Sequence, residues 1–125
     1  MATDNKYWLV WIEEMPTNVE CLKLVYCKTE QEALELGSKI HNMDKNLLEV
    51  YEKTVHVRKS RSKLIDKLTN EYWIVYFPDL DFWESELVFC DTGENAIKST
   101  LYIRSVTSKQ NLLAKPLKLY TQSNL

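Results

Sequence analysis

The sequence predicts an α+β fold made of two tandem ββαβ repeats, and three observations lead to this prediction. Two stretches without Gly or Pro, Tyr7–Ile12 and Tyr72–Phe77, have the aromatic and aliphatic composition of β-strands. Each is followed by a second apolar stretch and then by an amphipathic helical pattern. Matching positions lie 62 to 65 residues apart, and the offset changes only at loops, where insertions are tolerated.

The first repeat covers residues 1–57. Its first two predicted strands are Lys6–Ile12 and Cys21–Cys27, joined by a polar turn. A capping box, Thr-Glu-Gln-Glu, begins at Thr29 and predicts a helix start, because its side chains satisfy free backbone N–H groups. Apolar residues then recur every three or four positions, as on one face of a helix: Ala33, Leu36, Ile40, Met43 and Leu47. A strand at 48–57 completes the repeat.

The second repeat covers residues 71–125 and follows a basic linker with a short helix at 58–70. It has predicted strands at Tyr72–Phe77 and Glu84–Cys90, then a helix capped by Asp91 or Thr92, then a strand at Leu117–Thr121. Pro116 cannot donate a ladder hydrogen bond, so this last strand should start there or lie at a sheet edge. We expect the repeats to be related by a pseudo-twofold axis, with antiparallel sheets and helices on one face.

Composition excludes several classes of function. The chain has 125 residues, of which 45% are hydrophobic, enough for a packed core. A net charge of −2 argues against a wholly basic protein that coats nucleic acid. The only glycines are Gly37 and Gly93, and phosphate loops, dinucleotide motifs and nucleophile elbows all depend on glycine. We therefore expect no cofactor and no enzymatic activity.

The cysteines and histidines give no metal or disulfide pattern. Three cysteines, Cys21, Cys27 and Cys90, include no Cys-x-x-Cys pair, and with His41 and His56 they show no zinc-ligand spacing. An odd number of thiols suits a reducing cytoplasmic or nuclear compartment better than a secreted disulfide framework. No apolar run approaches the ~18 residues of a membrane span, and the N-terminus lacks a signal-peptide pattern.

The predicted turn between the first two strands of the second repeat is the leading candidate site. It combines acidic residues with large apolar ones: Asp79, Leu80, Asp81, Phe82, Trp83 and Glu84. Apolar side chains at a loop tip suit a pocket on another protein, and the acids would steer the partner. The alternative is that the rings fold back as a lid on the core. The first interpretation predicts a small protein-binding module, an adaptor or an inhibitor.

A basic stretch at Lys53–Lys67 supports a second function, nucleic-acid binding. It contains six basic residues and one acid, and its centre carries Arg58, Lys59, Arg61 and Lys63. These cations could bind phosphates or an acidic protein, or form only a solvated linker. The aromatic strands could contribute an exposed platform that stacks bases, or they could form the core or a homodimer interface.

Overall fold

The computed structural model describes residues 4–58, 70–78, 80–103 and 112–124. The fold is α+β, as the sequence predicts. In chain order the elements are β1 (Lys6–Ile12), β2 (Lys23–Cys27), α1 (Glu30–His41), β3 (Leu48–Lys53), β4 (Val55–Val57), β5 (Glu71–Tyr76), β6 (Glu86–Cys90), α2 (Gly93–Ile103), β7 (Leu113–Leu117) and β8 (Leu119–Tyr120). They form two compact units, residues 1–54 with 118–125, and residues 55–117.

The sheet of the first unit has the strand order β3-β1-β2-β8. Strand β1 pairs antiparallel with both β2 and β3, whereas β8 pairs parallel with β2, bringing Leu119 beside Leu24. The sheet of the second unit has the order β4-β6-β5-β7. There β5 pairs antiparallel with β6 and β7, and β4 pairs parallel with β6. Both sheets therefore have three antiparallel strands, with the first of the three in the middle, and one added parallel strand.

The chain passes from one unit to the other where a predicted strand is interrupted, and the sequence does not indicate these interruptions. The predicted strand at 48–57 is interrupted at Thr54, so β3 lies in the first sheet and β4 in the second. A second interruption, at Lys118, separates β7 in the second sheet from β8 in the first. The compact units thus divide the chain differently from the sequence repeats. Superposition of the repeats by a pseudo-twofold axis stays a prediction, and the predicted linker helix lies outside the described residues.

Local hydrogen bonds explain where the helices begin. The Thr29 hydroxyl accepts from the backbone N–H of Glu32 at 3.1 Å, and the Glu32 carboxylate accepts from that of Lys28 at 3.3 Å. The Thr29 bond is the predicted half of a capping box, whereas Glu32 binds the residue before the N-cap and not the N-cap itself. The Thr92 hydroxyl likewise accepts from the N–H of Asn95 at 3.2 Å. Helix α1 ends where Asn42 adopts a left-handed conformation with φ of 52°, which asparagine tolerates.

Each helix packs on one face of its sheet. In the first unit, buried residues of both elements form a core of Trp8, Val10, Val25, Cys27, Ala33, Leu36 and Leu48. In the second, the corresponding core is Val75, Val88, Cys90, Ala96 and Leu112. The alternate residues of the inner strands, Leu9, Leu24, Ile74 and Leu87, are also fully buried. Both faces of the central strands are therefore covered, as expected from strands that are apolar on both sides. Pro116 lies in edge strand β7, as predicted.

Candidate partner-binding surface

The turn between β5 and β6 contains a short 3₁₀ helix, Phe82–Glu84. Phe82 is only 1% exposed, and its carbonyl accepts a hydrogen bond from the hydroxyl of Ser85, which is also buried. Phe82 is thus part of the core. The lid interpretation holds for this ring, which cannot act as an interface anchor in this conformation.

Trp83, the next residue, points to solvent. Its side chain is 50% exposed, and its indole Nε1 donates to Asp81 Oδ2 at 3.1 Å. Leu80, three residues earlier, is 42% exposed, and its backbone N–H donates to the Phe77 carbonyl at 3.1 Å. The backbone N–H of Glu84 donates to the Asp81 carbonyl at 2.9 Å, which closes the turn. We call Leu80, Asp81, Trp83 and Glu84 the Trp83 surface.

The 3₁₀ geometry explains why two adjacent aromatic residues have opposite environments. With three residues per turn, successive side chains point about 120° apart, so Phe82 and Trp83 cannot share one direction. The sequence places both rings in the turn but gives no sign of which ring enters the core. Asp79, the remaining predicted site residue, lies outside the described residues.

The basic stretch is described only at its first part. Lys53 Nζ lies 5.0 Å from the centre of the Tyr51 ring. The Arg58 guanidinium donates from Nη1 to the Ser99 hydroxyl at 3.2 Å and to the Asn95 carbonyl at 3.5 Å, and so binds helix α2. Lys59, Arg61 and Lys63 lie outside the described residues. Of the predicted cationic centre, the structure therefore places Arg58 alone.

The strand tryptophans do not form an exposed stacking platform. Trp8 and Trp11 are 9% and 2% exposed. The indole of Trp8 donates to the Cys27 carbonyl and that of the partly buried Trp73 to the Cys90 carbonyl, each at 3.2 Å. Tyr7 and Tyr72 are partly buried and pack against Tyr26 and Phe89, with ring centres 4.6 and 4.7 Å apart.

The three cysteines are free and buried in the structure. Burial, and then the nearby Glu32 carboxylate, raises the pKa of Cys27 to about 11. Burial also raises the pKa of Cys90. Such thiols are protonated at neutral pH and are poor nucleophiles. Among the residues that the structure describes, no group of three Cys, His, Asp or Glu side chains is placed to hold a metal ion.

Two clefts were not foreseen from the sequence, because each is lined by segments far apart in the chain. The larger, in the first unit, measures about 550 Å³ and lies between α1 and residues 121–123. Its charged lining consists of Lys28, Glu32, Glu35 and Lys39, a balanced mixture that favours no charged ligand. The smaller, in the second unit, measures about 280 Å³ and is lined by His56, Val57, Arg58, Ser99, Tyr102 and Ile103.

Comparison with known proteins adds no identification. No protein-family model, curated protein or solved structure matches the chain. None of the helices in the described ranges is long and apolar enough to cross a membrane.

Proposed function

We propose that the protein is a small non-enzymatic interaction module, an adaptor or an inhibitor, that binds another protein through the Trp83 surface. The observation that carries this proposal is the exposed tryptophan next to a buried phenylalanine in a closed turn. Exposing half of a tryptophan forgoes part of its burial energy. An aromatic side chain that is exposed and also oriented by a hydrogen bond is typical of an interface anchor.

The turn would bind with a small entropic penalty. Phe82 anchors the backbone in the core, and the Asp81 carboxylate restrains the indole of Trp83. A side chain ordered before binding loses less conformational freedom on association. Asp81 and Glu84 also give the surface negative charge, so the complementary partner has an apolar pocket with a basic rim.

Other observations support a binding role without catalysis. The thiol pKa values of Cys27 and Cys90 are raised, and the chain is poor in the glycines that phosphate-binding and nucleophile loops use. The three cysteines form no disulfide in the structure, which supports a cytoplasmic or nuclear location. Nucleic-acid binding through the basic stretch has less support, since Trp8 and Trp11 are buried and Arg58 is bound to α2.

The test compares Trp83→Ala with a control at a second exposed aromatic residue of the same unit, Tyr102→Ala, since Tyr102 is 87% exposed. Proteins that the immobilised parent chain retains from a cell lysate are first identified. The affinity of the isolated partner is then measured for each variant. We expect Trp83→Ala to weaken binding by about thirtyfold or more, the loss typical of an anchor residue. The melting temperature should stay close to that of the parent, and Tyr102→Ala should bind normally.

Two further results would contradict the proposal. Equal binding by the parent and Trp83→Ala would remove the Trp83 surface from the interface. Binding that survives Trp83→Ala but decreases steeply with added salt would favour phosphate contacts by the basic stretch. Phe82→Ala is a useful contrast, because loss of its buried ring should destabilise the fold by about 3–5 kcal/mol.

A further inference from the structure

Strand β3 differs from the other edge strands in the described part of the chain. Strands β4 and β8 are only three and two residues long, and β7 contains Pro116. Strand β3 has six residues, Leu-Glu-Val-Tyr-Glu-Lys, without Gly or Pro. A long regular edge presents a row of backbone groups to which another strand can bind.

The pattern of hydrogen bonds between β3 and β1 determines which backbone groups of β3 point outward from the sheet edge. The N–H of Glu13 donates to the Leu47 carbonyl at 2.9 Å, in register with the pairing of Ile12 and Leu48. Hydrogen-bonded pairs alternate along an antiparallel ladder. Glu49, Tyr51 and Lys53 therefore bond to β1, whereas the N–H and C=O groups of Val50 and Glu52 point away from it. The sheet order places no strand of the described residues on that side.

The side chains on one face of β3 are self-complementary. Glu49, Tyr51 and Lys53 lie on the face opposite Leu48 and Val50, which pack with α1. Glu49 is exposed, and Tyr51 is 45% exposed. When this strand is placed antiparallel to a copy of itself with Tyr51 at the centre, each Glu49 faces Lys53 of the other copy. Opposite charges in directly facing positions stabilise strand pairs.

Other registers lack this complementarity. The backbone N–H and C=O groups that point outward from one strand must bond to the outward groups of the other strand. Because these groups belong to alternate residues, the twofold axis must pass through a residue and not between two residues. A pair centred on Glu49 or Glu52 sets two identical carboxylates opposite each other. A pair centred on Val50 sets Glu49 against Tyr51 and Leu48 against Glu52. Only the register centred on Tyr51 sets Glu49 and Lys53, the two charged residues on the Tyr51 side of β3, opposite residues of the other charge.

We propose that the protein forms a homodimer through its β3 strands, which pair antiparallel with Tyr51 on the twofold axis. Val50 of one copy and Glu52 of the other exchange two backbone hydrogen bonds, and the symmetry provides two more. The four-stranded sheet that contains β3 in one copy and the same sheet in the other copy then form one continuous eight-stranded sheet. Glu49 and Lys53 form two ion pairs between the copies. The residues that pair in this dimer belong to the first unit, whereas those of the Trp83 surface belong to the second.

Charge reversal tests both the dimer and its register. The association state of the full chain is measured by sedimentation equilibrium over a range of concentrations. Glu49→Lys and Lys53→Glu each turn two attractive pairs into repulsive ones, so each should weaken dimerisation by about tenfold or more. An equimolar mixture of the two variants should recover association, because their heterodimer again pairs opposite charges. Glu14→Lys, the same change at an exposed turn residue, should associate like the parent.

A crosslink tests the twofold axis and does not depend on the charge variants. Residues facing each other in a non-hydrogen-bonded pair have Cα atoms about 4.5 Å apart, within the range for a disulfide. Tyr51→Cys should therefore form a covalent dimer on mild oxidation. Leu47→Cys, at a residue that is similarly exposed at 47%, should stay monomeric on a denaturing gel.

Three outcomes would overturn the proposal. In the first, the parent chain is monomeric at all concentrations and the Tyr51→Cys variant does not crosslink. This result would show that β3 does not pair with a second copy. Another is a dimer unaffected by either single charge reversal, which would place the interface elsewhere. The third is a mixture of the two charge variants that associates no better than each alone, which would exclude this register. Trp83→Ala should dimerise like the parent, so the two proposals can fail separately.

Discussion

His41 shows how a single side chain can couple stability to pH. It lies in the last turn of α1, and its Nε2 atom is buried without a hydrogen-bond partner among the described residues. Burial lowers the pKa of His41, and the positive charge of Lys23 lowers it further; an interaction with the Val10 backbone opposes them in part. The folded protein therefore favours the neutral imidazole.

The sign of the pH effect follows from this lowered pKa. At a pH below the ordinary histidine value of 6.5, the unfolded chain binds a proton at His41 more readily than the folded chain does. The free energy of unfolding should therefore decrease as the pH falls through 6.5 towards 5. His41→Gln, which does not titrate, should show a weaker decrease. Urea unfolding of both proteins between pH 5 and pH 8 measures this difference, and equal slopes would mean that another group is responsible.

The sequence locates the candidate turn but does not assign separate roles to its two adjacent rings. Composition identifies the turn at residues 78–84, because acids, proline and large apolar residues together are unusual there. It does not distinguish Phe82 from Trp83, since both are large and adjacent. Their roles depend on the path of the 3₁₀ helix over the core, which is set by tertiary contacts and not by local preference.

At the scale of one element, helix α1 depends on the absence of a side chain at Gly37. A Cβ atom built there would lie 2.5 Å from Cγ1 of Val10, and Val10 is completely buried. Glycine in a helix interior normally costs about 1 kcal/mol relative to alanine. Here the close approach of helix and sheet requires it.

Gly37→Ala should therefore destabilise the protein, despite the better helix propensity of alanine. Overpacking costs about 1–3 kcal/mol, which exceeds the gain in propensity, so we expect a net loss of about 1 kcal/mol in the free energy of unfolding. Glu35→Ala, at an exposed position of the same helix, should change it by less than about 0.5 kcal/mol. In a Val10→Ala background the same Gly37→Ala change should become stabilising, because the clash is removed. A loss that is the same in both backgrounds would exclude steric conflict with Val10.

Local sequence patterns predict the bounds of some elements but not the two strand interruptions. Strand β1 agrees with its predicted bounds, and the capping box at Thr29 sets the start of α1. Both depend on near neighbours in the chain. The interruptions at Thr54 and Lys118 have no such signal, because neither residue is Gly or Pro. The interruptions exist because β4 pairs in parallel with β6, and β8 with β2. Both partners are far away in the sequence.

In the molecule as a whole, each sheet is completed by a strand that the sequence assigns to the other predicted repeat. Strand β4 comes from the first repeat but completes the sheet of the second unit, and β8 does the reverse. Neither repeat contains all four strands of its own sheet. Without β8, strand β2 would have an unpaired edge, and Tyr120 would no longer pack on the core of the first unit. We therefore expect folding of each unit to require residues from both repeats.

Separate chains of residues 1–58 and 70–125 test this dependence. Each alone should lack native tertiary structure, seen as weak near-ultraviolet circular dichroism and poorly dispersed amide resonances. An equimolar mixture should form a complex of one chain of each kind with the signals of the intact protein, because β4 and β8 can then pair with β6 and β2. Shorter chains of residues 1–54 and 70–117, which lack the exchanged strands, should bind much less. If the longer chains each show native spectra alone, or if the shorter chains reassemble equally well, strand exchange does not couple the folding of the two units.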